Sequence, residues 1–341
     1  MKKTVLLMII CFQAALFSQM PAKSVIKFSF TGDMMIGTEY PSPVLPPNDG
    51  KTFFNNVKEF FSERDVVIGN LEGAITTVPN SPKNTNGRNV FAFRMPPRYA
   101  PYFKEAGYDV LTVANNHALD FGLKGNQDTI RAITSAGIKV TGEKNKLTII
   151  EKNGIKIGVL GYSWYEQFNN LLNIPAAKKL ISDSRKSVDI LIVVFHGGSE
   201  GAKAQNVRPG MEYFYKASRG DVVAFSHAAI DSGADLVVGH GPHVLRGVEK
   251  YKNKMIAYSL GNFATYGMFN MAYPSNISVI LNVDLDHDGN IFSASLIPII
   301  LKYRGIPEYD PKGQGIDNMN RLSKNDFKNP IIFNQQGVMI Q

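Results

Sequence analysis

The chain reads as a layered α/β domain, and three observations predict it. Short runs rich in Val, Ile and Phe alternate with longer amphipathic stretches. Six of those runs stop abruptly at Asp, Asn, Glu or His. The composition, 44% hydrophobic and 19% charged over 341 residues, is globular and excludes disorder, collagen and short-repeat solenoids. The single cysteine, Cys11, excludes a disulfide framework and a cysteine-based zinc site. A net charge of +8 favours anionic partners. No basic run is interleaved with aromatics, so no nucleic-acid partner is expected.

Taken in order, residues 1–20 read as a secretory signal. Lys2 and Lys3 precede an apolar run at 5–12, followed by Ala14, Ala15 and Ser18. Cleavage would remove the only cysteine, which suits an oxidising exterior, and a periplasmic, extracellular or envelope-associated location is expected. If retained, the segment would make a marginal anchor, because Gln13 interrupts a run shorter than a typical span. Strands are expected at 25–31, 66–69, 110–114, 155–160, 190–195, 236–239 and 255–260. Helices are expected near 53–61, 98–106, 124–136 and 222–232. Segments 41–50 (Pro-rich) and 78–89 (rich in Asn, Pro and Lys) read as surface insertions. Two strand-like runs flanking Asp286-His287-Asp288-Gly289 read as a hairpin over 276–301. Beyond Gly305 the chain turns polar, with one short helix near 318–323. The expected organisation is a signal at 1–20, one domain at 24–301 and a loop-rich extension at 302–341.

The polar residues fall where the apolar runs end. These ends are Gly32-Asp33, Asn70-Leu71-Glu72, Asn115-Asn116-His117, His196-Gly197-Gly198, His240-Gly241-Pro242-His243 and Gly261-Asn262. Ligand sites in open α/β sheets gather at the carboxyl ends of strands, so six such ends suggest one shared site. Carboxylate, amide and imidazole donors without thiolates suit Zn, Mn, Fe or Mg. Such a set can hold one ion or two, the pair bridged by a carboxylate.

Each member also has a plainer reading. Gly32-Asp33 is a common turn, and Glu72 alone is a first-turn helix acid. Asn116 suits a helix cap. His117 and Asp120, three apart, let the carboxylate orient the imidazole. His196 alone is more often structural, and His227 and His287 are assigned structural roles. Arg208 and Arg246 are candidates to meet an anionic substrate and are equally readable as surface charges. The constellation is strong where its members are weak.

In this order, Gly32-Asp33-Met34-Met35, Asn70-Leu71-Glu72-Gly73, Ala114 to Asp120, His196-Gly197-Gly198, Gly239 to His243 and Ser259 to Phe263 resemble the CapA family. These proteins are associated with poly-γ-glutamate capsule biosynthesis and are related to calcineurin-like metallophosphatases. The resemblance runs from about Phe28 to Phe263. It implies a four-layer α/β/β/α sandwich of metallophosphatase type with a C-terminal β-hairpin region. It implies metal ligation by Asp33, Glu72 (bridging), Asn116, His196, His240 and His243. His117 would be a general acid, or a stabiliser of the departing oxygen, with Asp120 as its catalytic partner, and Asn70, Asn115 and Asn262 would support the ligands. Metallophosphatases usually begin Asp-x-His, and here Met35 stands in the histidine's place. A thioether is a poor ligand for a hard ion, which weakens one of the two metal positions.

Two functions compete. One is an exported metal-dependent hydrolase of a phosphoester or γ-glutamyl amide. The other is a non-catalytic envelope subunit that helps make or export an anionic glutamate polymer. The partners expected are an anionic envelope polymer or phosphoester substrate and capsule synthase subunits.

Overall fold

The computed structural model describes residues 25–85, 87 and 90–340; the signal expected at 1–20 lies outside them. Two large mixed sheets carry the fold. In the first, Val25–Met35 lies between Val66–Leu71 (parallel) and Ile277–Asp286 (antiparallel). Val110–Thr112 and Lys139–Thr141 extend it in parallel on one side. The hairpin partner Ile291–Lys302 and the strand Ile306–Tyr309 extend it on the other. In the second sheet, Ile155–Ser163, Ile190–His196, Leu236–His240 and Lys254–Ala257 run parallel. Antiparallel strands Thr148–Lys152 and Val248–Tyr251 close its two edges.

The layering follows from side-chain alternation. Successive residues of a strand face opposite sides, so an all-apolar run must be covered twice. Val66 and Ile68 face Ile192, Val194, Leu236 and Val238 across the gap between the sheets. Val67, Leu71 and Leu111 face outward onto Phe103 and Ile133 of the helices Ala100–Ala106 and Gly122–Ser135. On the other side, Leu191, Val193 and Val237 pack on Ile181 and Phe225 of Ile174–Arg185 and Val222–Asp231. Each such side chain, fully buried, contributes about 1.5–3 kcal/mol. The order is helix, sheet, sheet, helix, as the resemblance implied.

Three expectations need correction, and one helix is unanticipated. The 302–341 segment is not a loop-rich extension: Ile306–Tyr309 joins the first sheet, and the short helix expected near 318–323 is present and longer, Gln314–Asp326. Ile316, Met319, Ile331 and Phe333 enter the core between the sheets, so this segment belongs to the domain. The helix expected at 53–61 is a run of turns ending in the 3-10 helix Lys58–Phe61. The expected strand 255–260 ends early, at Ala257 in the second sheet; a separate strand, Asn262–Thr265, follows the turn and pairs with Val25–Met35 in the first. The helix Ile174–Arg185 is not anticipated, although Asn173 caps it by accepting from the Ala176 N–H at 3.1 Å.

Candidate metal centre

The strand register brings the polar ends together. Asp33 is paired with Asn70 on one side and Asn262 on the other, while His196 is level with His240 in the second sheet. Within each sheet these strands pair in parallel, so Asp33, Asn70, His196 and His240 lie at or near the carboxyl ends of their strands, while Asn262 opens the strand that continues beside Asp33. Gly32 makes the approach feasible: a Cβ there would stand 2.0 Å from the Gly261 carbonyl oxygen. That carbonyl accepts the Asp33 N–H at 2.9 Å, tying the turn after Leu260 to the first strand.

Asparagines hold the acids and rings. Asn70 Nδ2 donates to Asp33 Oδ1 at 2.8 Å and sits 3.1 Å from His196 Nδ1. Asn115 Nδ2 donates to Asn70 Oδ1 (3.1 Å) and to the Leu71 carbonyl (2.8 Å), while its Oδ1 accepts the His117 N–H. Asn262 Oδ1 faces His243 Nδ1 at 3.1 Å, and its Nδ2 donates to the Ser275 carbonyl. His243 has a positive φ of 58°, a strained conformation for a non-glycine residue. It aims Nδ1 at Asp33 Oδ2 (3.1 Å) and Nε2 at Glu72 Oε1 (3.5 Å).

Glu72 is the hub. Its Oε1 lies 3.7 Å from His196 Nε2 and 3.9 Å from His117 Nε2. Asp33 Oδ1 lies 3.6 Å from His240 Nδ1 and 3.9 Å from His196 Nδ1. Both Glu72 oxygens, His196 Nε2, His240 Nδ1 and Asn116 Oδ1 are buried without a hydrogen-bond partner. Orphaned buried acceptors normally cost about 1–3 kcal/mol each. Two ligand atoms on one ion at about 2.1 Å stand roughly 3–3.5 Å apart, close to the spacings here. The donor set therefore fits a divalent cation. Among the described residues, two groups bring three ligand atoms within 4.8 Å: buried Asp33, Glu72 and His243, and the exposed turn Asp286, His287 and Asp288.

Burial dominates the acid–base behaviour. It pushes the Glu72 carboxyl well above its ordinary range, helped by the charges of Asp33 and Glu200. Burial would also raise Asp33, but the His243 hydrogen bond and the surrounding imidazoles hold it far below the usual carboxylate range. Burial lowers His196, His240 and His117, the last against the pull of Asp120. His243 goes the other way: burial opposes it, but Glu72, Asp33 and Glu200 raise it to about 10.

His117 Nδ1 is 2.8 Å from Asp120 Oδ2, as their spacing anticipates. Asp120 also accepts the Phe93 N–H and pairs with Lys83. Segment 78–89 is therefore more than a surface insertion, since Lys83 comes from it. The assignment of Arg208 and Arg246 to substrate is corrected by their partners. Arg208 pairs with Asp326 at 2.7 Å. Arg246 is fully buried, with its guanidinium bound to both Glu212 oxygens and the Ala204 and Ser199 carbonyls. His227 stacks on Tyr251 and bonds Glu249, a structural role as expected.

The arginine that lines the cleft is Arg219, which sequence reasoning missed. Its guanidinium lies 3.6 Å from the Trp164 ring centroid and pairs with Glu200 at 2.5 Å. Glu200 Oε2 in turn lies 3.9 Å from His243 Nε2. The one available signal was position: Glu200 follows His196 by four residues in a glycine-rich turn.

Comparison with known proteins fits this geometry. The family described as "Bacterial capsule synthesis protein PGA_cap" matches residues 27–266. The PGA biosynthesis protein CapA of Bacillus subtilis is 30% identical over 263 residues, 70% of this chain and 63% of that protein. The capsule biosynthesis protein CapA of Bacillus anthracis is 28% identical over 250 residues, 70% of this chain and 59% of that protein. The alignments thus span about three-fifths of the length of these relatives. A Staphylococcus aureus chain classed as a 5'-nucleotidase, solved with alpha-ketoglutarate, superposes with a TM-score of 0.50 at 14% identity, covering 88% of this chain and 58% of that one. That likeness bears on the metallophosphatase fold alone.

Proposed function

The chain belongs to the PGA_cap family of bacterial capsule synthesis proteins, and from that premise we propose that it is an exported, divalent-metal-dependent hydrolase linked to capsule or poly-γ-glutamate metabolism. Its substrate is a phosphoester or a γ-glutamyl amide, and its partners are an anionic envelope polymer and capsule synthase subunits. The observation that carries the reading is the convergence of unpartnered Glu72, His196 and His240 atoms around Asp33, beside an oriented His117–Asp120 pair. Asp33, Glu72, Asn116, His196, His240 and His243 hold one or two ions. Imidazole-rich ligation favours Zn, Mn or Fe over Mg.

A divalent ion there supplies Lewis acidity toward a phosphoryl or carbonyl oxygen. The chain supplies the rest. Asp120 accepts Nδ1–H of His117, which leaves Nε2 of the neutral ring facing Glu72 as a proton acceptor. Burial lowers the His117 pKa, so a proton taken at Nε2 is readily given to a departing oxygen or nitrogen. Phe93, tilted at 35° with its ring centroid 4.2 Å away, shields that ring from solvent.

Met35 supports the second reading, a non-catalytic envelope subunit. It is fully buried and packs over Gly73, offering no imidazole to the cluster. The two readings separate on purified protein, wild type beside Glu72→Ala and His240→Ala. Near-stoichiometric metal with turnover of a phosphodiester, phosphomonoester or γ-glutamyl amide, both lost in the variants, is the expected result. Metal bound without turnover moves the assignment to the subunit. No metal under replete conditions overturns the metal centre itself.

A further inference from the structure

The acid–imidazole cluster opens onto two recesses of unlike chemistry. On one side a cleft of about 460 Å³ is lined by Lys83, Lys216, Arg219 and Trp164. On the other a pocket of about 230 Å³ is walled by Phe93, Met268 and Phe269. Phe91, His117, Glu200 and Phe214 line both, so the two recesses meet at His117 and form one groove.

Each arm is built for a different substituent. Arg219 is 3% exposed, lies flat against Trp164 and is anchored by Glu200, and its Nε is buried without a partner. A guanidinium held in this way has lost its conformational freedom before any ligand arrives, which favours binding an anion. In the other arm the Phe93 and Phe269 rings lie 5.3 Å apart at 31°, and Phe269 is 5.2 Å from His243. Aromatic walls there gain by covering a flat apolar group.

We propose that the ligand lies across His117, with an anionic group in the Arg219 arm and a flat apolar substituent against the aromatic wall that Phe93 and Phe269 form together. The proposal rests on the reading that the Glu72 cluster is the reacting centre, and it names the substrate class that centre takes: a compound anionic on one side of its central group and apolar on the other.

The test uses the metal-loaded full chain and ligands that no hydrolytic step consumes. Phenylphosphonate, methylphosphonate and 3-phosphonopropionate are titrated by calorimetry and by the emission of Trp164, the single tryptophan. Phenylphosphonate is expected to bind about tenfold more tightly than methylphosphonate, the effect of burying part of one ring. Phe269→Ala should bring that ratio close to one without changing methylphosphonate affinity, and Phe269→Leu should leave part of it. Lys216→Glu should remove the advantage of 3-phosphonopropionate over methylphosphonate and leave the phenyl preference intact. A wild-type phenyl ratio near one, or a ratio that Phe269→Ala leaves unchanged, overturns the proposal. Absence of turnover with these preferences intact sinks the hydrolase reading alone; turnover without the preferences sinks this inference alone.

Discussion

Two ionic groups, one around Glu72 and His243 and one around Arg246 three residues beyond that histidine, are built on opposite plans. Around Arg246, every guanidinium nitrogen meets an oxygen: Nε the Ala204 carbonyl, Nη1 and Nη2 the two Glu212 oxygens, at 2.7 to 2.9 Å. Around Glu72, carboxylate oxygens and imidazole nitrogens face one another at 3.5 to 3.9 Å without hydrogen bonds. A satisfied buried pair holds structure in place, whereas a set of converging unsatisfied acceptors stores unfavourable energy until a cation arrives. Arg246 is thus part of the scaffold, and Glu72 is part of what the scaffold exists to present.

The contrast is broken most severely from the Arg246 side. Arg246→Ala empties a fully buried site, strips the Ala204 and Ser199 carbonyls of their donor and leaves Glu212 with the Ser199 N–H in place of its cation, and we expect a loss of about 3–5 kcal/mol in denaturant unfolding. If Arg246→Ala unfolded like wild type, the scaffold assignment would fail. Glu72→Gln should do the reverse in metal-free protein, relieving a buried charge and leaving stability unchanged or higher. Its cost appears only with metal. At a concentration 100 times the dissociation constant, an ion bound to the native state alone adds about 2.7 kcal/mol to wild type, and this increment should vanish in Glu72→Gln.

The dependence on pH sharpens the same point. Glu72 is raised above its ordinary 4.5, so whatever stability its protonated form supports is present below that value and is lost as pH rises. His243 is raised from 6.5 to about 10, so its contribution is full below 6.5 and lost as pH rises towards 10. Both signs agree: metal-free protein should weaken steadily on the alkaline side. Saturating metal should flatten that slope, because deprotonated ligands are the ones that bind. Equal slopes with and without metal in parallel melts would contradict the assignment of both residues to one cation site.

Within the centre, Asp120→Asn removes a charge from the group that orients His117. Asparagine retains an acceptor for the Phe93 N–H, so folding should survive. With turnover established, kcat should fall by roughly 10²-fold while KM changes little, the pattern of a lost proton-transfer partner. A rise in KM alone would make Asp120 a substrate-shaping residue.

How much of this was legible beforehand depended on how each feature is written in the chain. Asn115 to Asp120 and His240 to His243 are compact: two or more polar groups directly after a buried strand have nowhere to go but a site or a cap. The parallel strands between helices were legible for the same reason, since apolar runs buried on both faces have a distinctive texture. The sheet change at 257–262 was not, because residues 255–260 read as one apolar run and Gly261 alone, at φ 70°, marks the turn. Lys83, Glu200 and Arg219 were equally hidden: a charged residue in a loop looks the same whether it faces solvent or a cleft. Arg208 and Arg246 were chosen on just that ambiguous signal, and tertiary partners decided against both.

Arg208 supplies the smallest expected effect and completes the comparison with Arg246. Its side chain is 63% exposed, and it meets Asp326, a buried carboxylate that already accepts the Val207 N–H. Water can replace an exposed guanidinium at such a carboxylate, so Arg208→Ala should cost about 0–1 kcal/mol. It should leave metal content and ligand affinity unchanged, since neither recess beside His117 includes it. The same substitution chemistry thus yields a severalfold difference between two arginines of one chain, governed by the burial of the arginine, since Glu212 and Asp326 each keep a backbone N–H while Arg246 is 1% exposed and Arg208 63%. A loss for Arg208→Ala as large as that for Arg246→Ala would mean that Asp326, like Glu212, depends on its arginine, and that exposure is the wrong measure of the pair.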